Sequence, residues 1–110
     1  MKLPNPENAV VDERKVREYL LSRSHPVGRF KAAFFARGGF TNDNVGLLTT
    51  ELLKLAAHGE AELGHATEHG QKYLISGILT GPAGATIEVT SVWIVPKPAG
   101  MPRLVTVYPR

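Results

Sequence analysis

The stretch QKYLISGILTGPAGATIEVTSVWIV, residues 71–95, decides the fold class. Both of its halves are rich in β-branched and aromatic residues, and GPAG between them, at 81–84, has the composition of a turn. A third such segment, RLVTVY at 103–108, follows the short link PKPAGMP at 96–102. Links of this length join antiparallel neighbours, because a parallel crossover needs about a dozen residues or more. The C-terminal half therefore predicts an antiparallel sheet.

The N-terminal half has the apolar spacing of helices. The first is predicted from Glu13 to about Ser22, with Asp12 as its N-cap, and the second from about Pro26 to Arg37, ending at Gly38 and Gly39. A third helix follows a cap at Thr41 or Asn42 and ends at His58, before Gly59. Residues 8–11 read as a short edge strand, and residues 62–70, ELGHATEHG, as a loop because of their glycines.

The predicted fold is a single α+β domain over residues 1–110. Three N-terminal helices pack on a C-terminal antiparallel sheet of three to four strands, and the other sheet face stays partly open. The length of 110 residues suits one core, and 43% apolar with 21% charged residues is typical of a soluble globular chain.

Composition also excludes several classes of function. No apolar run approaches the roughly 18 residues that span a bilayer, and the first residues hold no apolar segment of a secretion signal. The absence of cysteine excludes disulfides and thiolate catalysis, so we expect a protein that acts in the cytoplasm, its own or that of a cell it is delivered to. The net charge of +3 suits a polyanionic partner, although many proteins without one are as basic.

Motifs for metals and cofactors are weak. His65 and His69 are four residues apart, with Glu62 and Glu68 nearby, which would be metal-ligand spacing on a helix but not in a loop. The sequence has no HExxH motif, no phosphate loop of GxxxxGK type and no GxSxG elbow. We predict neither a metal site nor a cofactor.

The segment SRSHPVGRFKAAFF, residues 22–35, carries unusual cationic chemistry. Pro26 favours the first helical position, which places His25 at or beside the N-cap, where free N–H groups attract an anion. Val27, Phe30 and Phe34 are predicted to point into the core. Lys31 lies inside this apolar arc, so either its stem runs along apolar surface to solvent or its ammonium enters a polar cleft beside the sheet.

These segments carry a family resemblance. LPNPENAVVDERKVREYLLSRSHPVGRFKAAFF, GQKYLISGILTGPAG and PRLVTVYP resemble a small, largely uncharacterised bacterial domain family whose members occur as stand-alone short genes and at the C-termini of polymorphic toxins. The terminal VTVYP strand, after N-terminal helices, is also similar to the last strand of barnase–EndoU–RelE-like ribonuclease toxins.

The resemblance implies metal-independent RNA cleavage, in which the ribose 2′-OH attacks the adjacent phosphate and leaves a cyclic phosphate. It also implies a cognate antitoxin or immunity protein that restrains the enzyme. Such chemistry needs proton carriers and cations. The candidates are His25 and His69 for proton transfer, Lys31 and Arg29 for phosphate charge, Thr106 and Tyr108 for hydroxyl contacts, and Lys72, Tyr73 and Trp93 for RNA binding.

Simpler interpretations stay open for these residues. His25 could be a plain N-cap, His69 a loop residue, and Trp93, between Val92 and Ile94, a core side chain. Tyr108 could close the sheet edge with its hydroxyl in water. The alternative function is a non-enzymatic RNA- or protein-binding module of a mobile element.

Overall fold

The computed structural model describes residues 1–21, 28–97 and 100–110. Within them, helices occupy the N-terminal half and a four-stranded antiparallel sheet the C-terminal half, which confirms the predicted α+β fold. The strands are β1 (Ala61–Thr67), β2 (Gly70–Thr80), β3 (Thr86–Pro96) and β4 (Arg103–Pro109), in the spatial order β1-β2-β3-β4. The helices are α1 (Glu13–Lys15), α2 (Gly28–Arg37) and α3 (Val45–His58).

Local capping explains the helix boundaries that the sequence indicated. The carboxylate of Asp12 accepts the N–H of Arg14 at 2.9 Å and starts α1, which continues as a π-helical segment, Val16–Leu20. That first helical stretch therefore ends slightly before the predicted Ser22. The predicted start of the second helix at Pro26 lies outside the described residues.

The turn between α2 and α3 also follows its predicted chemistry. Gly39, with φ +88°, takes the left-handed conformation after α2. Thr41, rather than Asn42, then caps the 3-10 turn Asn42–Asn44 that leads into α3, and its backbone N–H donates to the side chain of Asn44 at 2.8 Å. At the other end of α3 the Gly59 N–H donates to the Leu55 carbonyl at 2.8 Å.

Strand β1 corrects the predicted loop at 62–70, because residues 61–67 pair with β2. Its polar, glycine-containing sequence is compatible with an edge strand, where one face and one edge meet solvent. The pairing with β2 shifts register between Leu63 and Ala66, the interval that contains Gly64. The predicted edge strand at 8–11 is reduced to one parallel bridge, Val10 to Arg103.

The core lies between the helices and one face of the sheet. Its largest fully buried side chains are Trp93, Phe35, Phe40, Leu3, Leu48, Leu52, Ile75 and Leu79. Of the α2 residues predicted to point into the core, Phe34 packs against it but is only partly buried, whereas its neighbour Phe35 is fully buried. The two rings meet edge to face with centroids 5.5 Å apart. The Phe30 side chain lies outside the described residues. Val27 falls outside the described segments.

Candidate functional site

The second helix and the last strand meet through one polar contact. Lys31 Nζ donates to Thr106 Oγ1 at 2.7 Å, across 75 residues of sequence, in a partly buried environment. The sequence left two positions open for the Lys31 ammonium, in solvent or in a polar contact beside the sheet. The structure shows the polar contact. An ammonium held next to a hydroxyl on a rigid strand is a preorganised cation, the kind of group that binds developing negative charge.

The electrostatics of Lys31 are perturbed in a consistent direction. Burial lowers the pKa of its ammonium, and the positive charge of Lys15 lowers that pKa further. Both causes disfavour the charged form, and an anion bound nearby would favour it again.

Strand pairing places both hydroxyls of β4 on one face. Thr106 is opposite Val92 and Tyr108 is opposite Thr90, so both point away from the face that carries Ser91 and Trp93. Two residues along a strand separate Thr106 from Tyr108 by roughly 7 Å. Tyr108 is 37% exposed, which leaves its ring accessible to a ligand that reaches the pair.

Two predicted site residues come from the junction before or at the start of α2. His25 lies outside the described residues. Arg29 is in the first turn of α2, two positions before Lys31, and only its backbone is described.

His69 lies far from this contact. It occupies the turn between β1 and β2, its side chain is 80% exposed, and it lies 3.5 Å from the exposed carboxylate of Glu68. Leu74 on β2 pairs with Val92 on β3, which in turn pairs with Thr106 on β4. Gly70, the neighbour of His69, is four positions along β2 from Leu74. From strand geometry this separation is roughly 15–20 Å. The structure does not bring His69 to Lys31.

The proposed RNA-stacking role of Trp93 is not compatible with its position. Trp93 is 0% exposed, its indole N–H donates to Ser91 Oγ at 2.9 Å, and Ser91 Oγ donates to the Ile75 carbonyl at 2.8 Å. A satisfied, fully buried indole is a core side chain. Tyr73 pairs with Trp93 on the same sheet face and packs partly against the core.

Lys72 is half-buried on β2, opposite Ile94, which in turn pairs with Arg103. This row runs on the sheet face of Thr106, next to the row of Leu74, Val92 and Thr106. Lys72 is therefore separated from β4 by one strand and does not contact the Lys31 pair.

One residue that affects the site, Lys15, was not predicted from the sequence. Lys15 acts on Lys31 although 16 positions separate them in the chain, because the π-helical segment Val16–Leu20 that continues α1 packs against α2. No periodicity links two helices of unknown packing, so the sequence carries no signal for this pair.

For metal binding, the described segments contain no group of three His, Asp or Glu residues arranged to hold an ion. No described helix is long and apolar enough to cross a bilayer.

The architecture is a class of α+β fold that is also found in a solved structure. A chain of the contact-dependent growth inhibition toxin–immunity protein complex from Klebsiella pneumoniae 342 has the same fold, with a TM-score of 0.71, 21% sequence identity and 96% of each chain covered. At that identity the likeness establishes the fold alone. No curated protein matches the chain.

The chain belongs to the DUF6883 family, a domain of unknown function, and the match extends over residues 2–110.

Proposed function

We propose that this domain is a metal-independent ribonuclease toxin that cleaves cellular RNA by attack of the ribose 2′-OH on the adjacent phosphate. The observation that carries the proposal is the 2.7 Å contact between Lys31 Nζ and Thr106 Oγ1. It supplies a partly desolvated cation and a hydroxyl at one point, which are the groups that a phosphorane needs around its non-bridging oxygens.

In this mechanism Lys31 stabilises the charge that builds on the phosphate as the 2′-oxygen attacks. Thr106 Oγ1 accepts from the ammonium and so keeps its own O–H available to donate to a phosphate oxygen. The phosphate raises the lowered pKa of Lys31, since an anion favours the ammonium form. In this proposal Tyr108 contributes a second hydroxyl and Arg29 a second cation.

The proton transfers fall to His25 in this proposal. Imidazole titrates near neutrality, so His25 takes the proton of the 2′-OH as the 2′-oxygen attacks phosphorus and returns it to the 5′-oxygen as the P–O5′ bond breaks. The products are a 2′,3′-cyclic phosphate and a free 5′-OH. His25 precedes α2, the helix of Lys31, whereas His69 is roughly 15–20 Å from Thr106 by strand geometry. That separation favours His25 over His69 as the proton carrier.

A toxin of this kind requires a cognate inhibitor, because a free ribonuclease would damage its host. The neighbour of known structure comes from a toxin–immunity protein complex, which supports an immunity protein as the partner of this domain. The positive net charge of +3 suits an acidic inhibitor.

Induced expression tests the toxin proposal. Wild-type chain is expected to arrest growth, and His25→Ala, Lys31→Ala and Thr106→Val to relieve the arrest. With purified protein and RNA, Lys31→Ala should lower the cleavage rate by about 100-fold or more, as loss of a preorganised charge does. Lys54→Ala, which removes an exposed lysine of α3, is the matched control and should retain full activity.

The chemistry is tested separately. Cleavage should persist in EDTA and leave cyclic-phosphate ends. Activity that disappears with EDTA would contradict the metal-independent mechanism. Wild-type protein that binds RNA but neither cleaves it nor arrests growth would establish the non-enzymatic binding module instead.

A further inference from the structure

A cleft of about 270 Å³ opens one residue along β4 from Thr106. Its walls include Lys15 from α1, Arg103, Leu104 and Val105 from β4, and Asp12 from the cap of α1. The cleft thus adjoins the Lys31–Thr106 contact without containing it.

The fold builds this cleft from two irregularities. The N-terminal segment meets the edge of β4 at one place, where the Val10 N–H donates to the Pro102 carbonyl at 2.8 Å and the Leu104 N–H donates to the Val10 carbonyl at 3.0 Å. Immediately afterwards Asp12 turns the chain into α1 and away from the strand. On β4 the register shifts by one residue at Val105, between the pairs Trp93–Leu104 and Val92–Thr106, which bends the strand at the same place.

The charge of the cleft is positive on balance. Lys15 and Arg103 contribute two cations against the single carboxylate of Asp12, whose Oδ1 already accepts the Arg14 N–H at 2.9 Å. Within residues 1–21, 28–97 and 100–110, neither Lys15 nor Arg103 forms an ion pair with a carboxylate. The charge of Lys15 also reaches Lys31, because it contributes to the lowered pKa of that lysine. The charge of Lys15 therefore acts both in the cleft and on the Lys31–Thr106 contact.

We propose that this cleft is a second phosphate subsite, in which Lys15 and Arg103 hold the backbone phosphate that neighbours the scissile one. The inference rests on the proposed ribonuclease function and extends it to the binding of substrate on either side of the cleaved bond. Lys15 and Arg103 are binding residues in this scheme. They fix the position of the RNA strand along the protein, while the phosphate under attack lies at Lys31 and Thr106.

The salt dependence of RNA binding provides the test. The probe is a short fluorescein-labelled 2′-O-methyl RNA, which lacks a free 2′-OH and survives the proposed reaction. Each lost phosphate contact should lower the slope of log Kd against log[KCl] by about 0.7 between about 50 and 200 mM salt. Lys15→Gln and Arg103→Gln are each expected to show that loss, Lys15→Arg to keep the wild-type slope, and Lys54→Gln to leave it unchanged.

A wild-type slope in Lys15→Gln, or wild-type protein that does not bind the probe, would overturn the subsite. If Arg103→Gln fails to fold by circular dichroism, the Lys15 pair of variants decides the question alone. Cleavage of ordinary RNA judges the function independently. Cleavage with an unaffected Lys15→Gln slope removes the subsite and keeps the nuclease, whereas slope loss without any cleavage removes the nuclease and keeps the subsite.

Discussion

The ammonium of Lys31 is partly buried, which costs free energy, and it forms the polar contact on which the proposed function is based. Its ammonium is partly withdrawn from water and lies in the field of Lys15, and both effects lower its pKa from the ordinary lysine value of 10.5. The contact with Thr106 at 2.7 Å offsets part of that cost. The shifted pKa and the contact together make Lys31 a candidate site residue.

This perturbation has a definite pH signature. Because the pKa of Lys31 is lower in the folded than in the unfolded chain, the unfolded state binds more protons between those two pKa values, and stability rises with pH in that window. Lys31→Met has no such group. The free energy of unfolding of the wild type, minus that of Lys31→Met, should therefore increase as the pH rises toward the ordinary lysine pKa of 10.5.

Urea denaturation of both proteins at each pH measures that difference, and groups that titrate alike in the two proteins cancel. Lys54→Met, which removes an exposed lysine of α3, is measured alongside as a substitution control. A difference for Lys31→Met that falls as pH rises would contradict the burial argument.

Among the secondary-structure elements, two glycine-rich turns depend on each other. The turn after α2 and the β2–β3 hairpin are far apart in sequence, yet a Cβ at Gly81 would overlap the carbonyl oxygen of Gly38. A Cβ at Gly39 would likewise lie 3.0 Å from the ring of Pro82. The hairpin therefore seats directly on the end of the helix, and its glycine is required by close backbone approach.

A pair of glycine substitutions tests that contact. Gly81→Ala should destabilise the fold by about 1–3 kcal/mol, as overpacking against backbone does. Gly46→Ala, on α3 with nothing within 4 Å of the added methyl group, should instead stabilise it by about 0.5–1 kcal/mol. Thermal unfolding of the two variants gives the comparison, and equal melting temperatures would show that the hairpin does not pack on the helix end.

Across the whole molecule, the N-terminal residues belong to the core. Leu3 is 1% exposed within the main apolar cluster, and the Met1 carbonyl accepts the N–H of Ala61 at 2.8 Å. The first residues thereby tie the start of β1 to the helical layer. The same segment, a few residues later, forms one wall of the cleft beside β4.

Truncation of Leu3 measures that tie. Leu3→Ala should cost about 2–5 kcal/mol of unfolding free energy, the range for a buried leucine. Ile78→Ala removes an apolar side chain that is 60% exposed on β2, and it should cost well under about 1 kcal/mol. Urea midpoints report both values. A Leu3→Ala protein as stable as Ile78→Ala would place the N-terminal segment outside the cooperative unit.

Local chemistry in the sequence determined most elements of this protein. Period-two alternation with short polar links specified β2, β3 and β4, and Asp12, Thr41 and Gly59 marked helix ends, because caps and turns depend on neighbouring residues alone. Alternation also placed Thr106 and Tyr108 on one sheet face. The edge strand β1 was missed, since its pairing with β2 overrides a weak local preference.

Only the tertiary structure decided which polar groups meet. The contact of Lys31 with Thr106, the field of Lys15 and the burial of Trp93 all join segments whose relative placement depends on how the helices pack on the sheet. Sequence periodicity assigns a side chain to a face of its own element but does not say which face of another element lies against it. Distances between elements follow from packing of the entire core, and the candidate site is made of such distances.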